Sequence, residues 1–81
     1  MRLPRDLSGV ELAKLLRRYG YDVSRQTGSH VRLTSNLRGV QHPTIPAHKS
    51  LKVGTLGAIL SEVALYLEIE RSRVEEELFS Q

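Results

Sequence analysis

The stretch SRQTGSHVRLT, Ser24 to Thr34, sets an imidazole, His30, directly after a Gly-Ser pair and among hydroxyl and guanidinium side chains. Histidine is the residue type whose ordinary pKa, about 6.5, lets it take up and release protons near neutral pH. Cutting RNA without a metal asks for that kind of group. The 2′-hydroxyl proton must be removed, the leaving 5′-oxygen protonated, and the charge of the phosphorane stabilised. His30 with nearby cations can serve part of that list. A histidine at the start of a strand is also a common surface feature, and spacing alone leaves both readings open.

A second candidate is the loop His48-Lys-Ser-Leu-Lys-Val-Gly-Thr55, where Lys49 and Lys52 precede a helical pattern. Lysines and free backbone amides at a helix N-terminus make a phosphate seat. A capped helix start with solvated lysines has the same pattern. It is not a Walker loop, because the Gly-rich spacing and the Gly-Lys-Ser/Thr ending are both missing. His30, His42 and His48 have no i, i+4 pair among them and the chain has no cysteine, so the pattern argues against a metal site. Ser29 beside His30 is not read as part of a catalytic triad, since neighbours along a strand point to opposite faces.

The elements that must carry these groups follow from periodicity. Ser8-Gly-Val-Glu11 has capping-box spacing, and Val10, Leu12, Ala13 and Leu16 then run at helical spacing through Tyr19. Lys14, Arg17 and Arg18 sit near the negative end of that helix, and Gly20 is its expected left-handed stop. Two alternating segments follow, Tyr21 to Gln26 and His30 to Thr34, with Thr27-Gly28 as the tight turn and Gly28 supplying a positive φ. Asn36 to Gly39 reads as a second turn. Val40 to Ile45 is a third strand that Pro43 restricts to an edge or a bulge. Leu56, Ile59, Leu60, Val63 and Leu67 form the stripe of a longer helix. A last short helix is expected from a second capping box, Ser72 to Glu75, with Glu75, Glu76 and Glu77 on its solvated face. The pattern predicts an α+β fold, α-β-β-β-α with a short extra C-terminal helix, in which one face of the sheet stays open.

Alternation gives the candidate residues a direction. With Val31 and Leu33 inward, His30, Arg32 and Thr34 point to the open face. On the neighbouring strand, Val23 inward puts Asp22, Ser24 and Gln26 outward. Arg25, Arg32, Lys49 and Lys52 are the candidate phosphate contacts.

Composition bounds the reading. The 81 residues, 40% apolar and 26% charged, fit one small domain spanning 1–81. Without cysteine there is no disulfide or thiolate staple, which suits the cytosol. No apolar run approaches a membrane span and MRLPRDLSG lacks a signal-peptide core, so the cytoplasm is the default location. Charge is asymmetric: ten Lys/Arg against three Asp/Glu up to Gly54, then two against six. A basic surface with an acidic appendage suggests a polyanionic ligand, nucleic acid first.

Together these segments resemble the HicA family of bacterial toxins, from about Leu7 to Leu78. The resemblance rests on SGVELAKLLRRYGYDVSRQTGSHVRL and TIPAHKSLKVGTLGAIL, which hold Gly28-Ser29-His30 and Ile45-Pro46-x-His48-Lys49…Gly54-Thr55-Leu56 in that order. It implies a fold like the double-stranded RNA-binding domain and a metal-independent ribonuclease, with no cofactor, that cleaves mRNA and arrests translation. It also implies a HicB-like antitoxin partner that covers the active site. The family's catalytic histidine falls on His30, as general base or acid, with Gly28 and Ser29 setting its position. Where relatives often carry a second polar or aromatic residue this chain has Val31, and in strand three it has Gln41 and Pro43. Two other functions compete: a non-catalytic RNA-binding module using the open face, and a protein-interaction domain using an exposed sheet edge.

Overall fold

The computed structural model describes residues 3–79. Helix α1 covers Gly9–Leu15 and tightens into a 3₁₀ turn, Leu16–Tyr19. Its start is the expected reciprocal cap: the Glu11 amide donates to Ser8 Oγ at 3.0 Å and the Ser8 amide donates to Glu11 Oε1 at 2.9 Å. Gly20 ends it at φ 81°, a left-handed conformation that glycine takes without a Cβ clash. Gly9 has a different reason to be glycine. A Cβ there would lie 2.0 Å from the Pro46 carbonyl oxygen, and its amide donates to the His48 carbonyl at 3.0 Å. The start of α1 is thus docked backbone to backbone on the chain that leaves the sheet.

Strands β1 (Asp22–Thr27), β2 (His30–Thr34) and β3 (Thr44–Pro46) form one antiparallel sheet in the order β1-β2-β3. The β1–β2 turn is Gly28-Ser29, one residue later than the sequence suggests, and Gly28 does not take a positive φ. Val31, Leu33 and Ile45 are buried under the helices, while His30, Arg32 and Thr44 are exposed on the other side. β3 is an edge strand, as Pro43 requires, but it begins only at Thr44. Pro43 has no N–H to give, although its carbonyl accepts from the Leu33 amide at 2.9 Å.

Helix α2 (Val53–Leu67) buries the predicted stripe, with Leu56, Leu60 and Val63 fully covered. Tyr66, near its end, holds the β2–β3 connection. Its hydroxyl donates to the Gly39 carbonyl at 2.7 Å, accepts from the Arg38 amide at 2.9 Å, and lies 3.2 Å from the buried Ser35 hydroxyl. Helix α3 (Arg71–Phe79) starts before Ser72, so the expected second capping box does not form. The Glu70 carbonyl accepts from the Arg73 and Val74 amides instead, and Glu75 pairs with Arg71 at 2.7 Å. Nor is the acidic run wholly a solvated face. The Tyr19 hydroxyl donates to Glu77 Oε1 at 2.6 Å, which with Arg73 holds the Glu77 carboxyl below the usual range and ties α3 to α1. No helix among the described residues is long and apolar enough to cross a membrane.

The α1 cap has a pH signature. The Ser8 amide, then its hydroxyl, hold the Glu11 carboxyl below the ordinary carboxylate range. A depressed folded pKa adds stability above the unfolded pKa, and that stability is lost as pH falls through the folded value. Ser8→Ala should cost about 1 kcal/mol at neutral pH in urea denaturation. The gap between wild type and Glu11→Gln should be widest at neutral pH and close in acid.

Candidate functional site on the open sheet face

The site depends on how β1 meets β2. Asp22 pairs with Thr34 and Val23 with Leu33, but Arg25, not Ser24, pairs with Arg32, followed by Gln26 with Val31 and Thr27 with His30. Ser24 is the extra residue of a β-bulge, and its hydroxyl donates to the Arg32 carbonyl at 3.3 Å. The bulge reverses the alternation expected for the second half of β1. Gln26 goes to the helix-covered side, where it lines a groove with Val23, Val31 and α1. Arg25 and Thr27 come to the open face. Val23 itself is 50% exposed rather than buried, because the edge of the sheet extends past α1.

As a result Arg25, Thr27, His30, Arg32 and Thr44 line one open cleft of about 300 Å³. Sequence reasoning singled out His30, Arg25 and Arg32 but missed Thr27 and Thr44. Thr44 was legible from its place beside inward Ile45. Thr27 was not, because its direction follows from the bulge. Arg25 and Arg32 are direct cross-strand partners, a like-charge arrangement that destabilises a sheet. Among the described residues neither has a carboxylate within ion-pair distance. Two guanidinium groups so placed, beside an imidazole, form a seat for an anion.

The imidazole is held from the turn. Ser29 lies in the two-residue turn, not on the strand, so alternation does not separate it from His30, contrary to expectation. Its Oγ is 3.1 Å from His30 Nδ1. With Nδ1 engaged, Nε2 is the nitrogen left for a substrate. The Ser29 carbonyl accepts from the Ala47 amide at 2.8 Å, fixing the turn to the end of β3. A Cβ added at Gly28 would meet no atom within 4 Å, so its small size is not demanded by packing. Lys49 and Lys52 do not line the cleft. They follow β3, exposed, with Lys52 as the extended first cap of α2 and no side chain bonded to the helix start. No group of three or more His, Asp or Glu among the described residues is placed to hold a metal ion.

The family described as HicA toxin of bacterial toxin-antitoxin matches residues 9–65, well over half of the chain. The chain belongs to the HicA toxin family. The match takes in α1, the whole sheet with its Ser29–His30 turn, and most of α2, and it ends before α3. No curated protein and no solved structure is significantly similar to the chain. As a HicA toxin it works within a toxin–antitoxin system, and its partner is an antitoxin.

The paired arginines carry a stability cost that can be read directly. Arg25→Thr should stabilise this HicA protein by a few tenths to about 1 kcal/mol at low ionic strength. Salt should shrink the gain, since it screens the repulsion that the substitution removes. Thermal melts at low and high ionic strength test this, and a salt-independent shift would deny the repulsion.

Proposed function

We propose that this HicA toxin is a metal-independent endoribonuclease that cleaves mRNA and so arrests translation, with His30 as its proton-transfer group. The observation that carries the reading is the shared cleft: one exposed imidazole, fixed through Nδ1, beside two opposed arginines without carboxylate partners among the described residues. In the reaction the 2′-oxygen loses its proton to a base and attacks the adjacent phosphorus. The O2′–P bond forms, the P–O5′ bond breaks, and the 5′-oxygen leaves with a proton from an acid. His30 Nε2 serves in this transfer. Arg25 and Arg32 neutralise the phosphorane, an electrostatic role suited to planar, permanently charged donors. Thr27 and Thr44 flank them with hydroxyl groups. Lys49 and Lys52, beyond the cleft, take flanking phosphates at the start of α2. A HicB-type antitoxin would silence the toxin by covering the open face, and the mRNA substrate places its action in the cytoplasm.

The products follow from the chemistry: a 2′,3′-cyclic phosphate on one fragment and a 5′-hydroxyl on the other. His30→Ala should lower the cleavage rate by about 10²–10⁴-fold, the usual share of a positioned acid–base group. It should relieve growth arrest while antitoxin binding persists. EDTA should change little. Undiminished cleavage by His30→Ala would defeat the assignment, and RNA left whole by the wild type would favour a binding module instead.

A further inference from the structure

The open face is built of cross-strand rows. The first, Thr27–His30–Pro46, and the second, Arg25–Arg32–Thr44, supply all the residues that line the cleft just described, with Pro46 outside it. A third row lies just before β3, and the cleavage chemistry leaves it unused. There Thr34 is the partner of Asp22 on one side, and His42 reaches it from the other, with Nδ1 3.0 Å from Thr34 Oγ1.

His42 stands in a stretch with little regular strand, yet its direction is fixed from both sides. Gln41 and Ser35 exchange backbone hydrogen bonds of 2.9 and 3.1 Å, and the Gln41 side chain accepts from the buried Tyr21 hydroxyl. Pro43 is buried, and its carbonyl takes the Leu33 amide. With Gln41 and Pro43 both committed to the covered side, the residue between them turns to the open face. The ring itself remains exposed. Held by Thr34 at Nδ1, it offers Nε2 and a ring face to solvent.

Distance decides what this second imidazole can do. At a strand rise of about 3.3 Å per residue, the rows of His30 and His42 are ~13 Å apart along β2. Both reacting oxygens of one phosphodiester sit on the same phosphorus, so His42 cannot act on the bond that His30 cleaves. A strand bound at His30 and running over the arginine row would bring a different nucleotide to His42. None of the residues in this row, Asp22, Thr34 and His42, is a lysine or arginine, so it offers no guanidinium seat for a phosphate like that of the second row. A base is the remaining part of the nucleotide, and unpaired bases stack on imidazole rings.

We propose that His42, oriented by Thr34, is a stacking platform for an unpaired RNA base lying outside the scissile phosphate, so that the open face selects among substrates as well as cleaving them. This inference rests on the endoribonuclease reading above. It is tested with 2′-deoxy oligonucleotides carrying one ribonucleotide, which fixes the cleavage point, and with the bases on either side replaced one at a time by abasic sites. For each position the ratio of cleavage rates, intact over abasic, is measured. The wild type should show a ratio of about ten or more at one flanking position, the scale of a base–aromatic stack. His42→Phe should keep that ratio and His42→Ala should bring it close to one. The wild-type ratio persisting in His42→Ala at every position would overturn the proposal. If the wild type cleaves none of the strands, the endoribonuclease reading fails instead. The same ratios taken from binding affinities then decide the base platform by the same criterion.

Discussion

One extra residue in β1 decides which side chains meet on the working face of this toxin. Without the bulge at Ser24, strict alternation would send Arg25 to the helix-covered side and leave Gln26 beside the imidazole. With it, Arg25 stands opposite Arg32 and Thr27 opposite His30. The bulge sits on an edge strand, where a local break in pairing is tolerated. The central strand, β2, keeps a regular alternation with Val31 and Leu33 buried, and it serves as the reference against which the others are set. The constellation proposed to be catalytic is therefore a property of register more than of any one residue.

That register is expensive in one respect and well supported in others. Opposed arginines repel, and the sheet holds them together because their backbone positions are fixed by hydrophobic burial on the other face. Support comes from three places around the rim. Gly9 lets the start of α1 press against the Pro46 carbonyl, Ala47 is bonded to the Ser29 turn, and the Tyr66 hydroxyl gathers the loop that leads toward His42. A polyanion bound across the face would relieve the repulsion it meets there. The arrangement is better explained by a ligand than by the stability of the free protein.

Much of the scaffold was legible in the sequence because its signals are local. The Ser8–Glu11 cap, the Gly20 stop, the alternation of β2 and the stripe of α2 each depend on residues within a turn or two of one another, and each is found as read. His30 on the open face followed from the same kind of evidence. What escaped depends on contacts distant in sequence. The bulge is visible only when β2 is laid beside β1, so alternation alone sends Gln26 outward where the structure turns it to the covered side. Val23, ahead of the bulge, keeps its inward direction and differs only in staying half exposed. The one-residue shift of the turn freed Ser29 from the strand and put its hydroxyl on the imidazole. At α3, a sequence-perfect capping box at Ser72 lost to an earlier start, in which Glu75 answers Arg71 and Glu77 answers Tyr19. Tyr66 gave no signal of its own, since its three partners lie 27 to 31 residues away.

The claim that a guanidinium on the open face, placed there by the bulge, acts with His30 on RNA is tested most directly by moving that charge one residue. The double variant Arg25→Gln with Gln26→Arg keeps composition and net charge, and shifts the cation to the helix-covered groove. Its rate of RNA cleavage, compared with wild type after circular dichroism has shown the fold intact, should fall by about a hundredfold or more, the scale of losing one electrostatic contact to the transition state. Cleavage at the wild-type rate by the folded double variant would contradict the account.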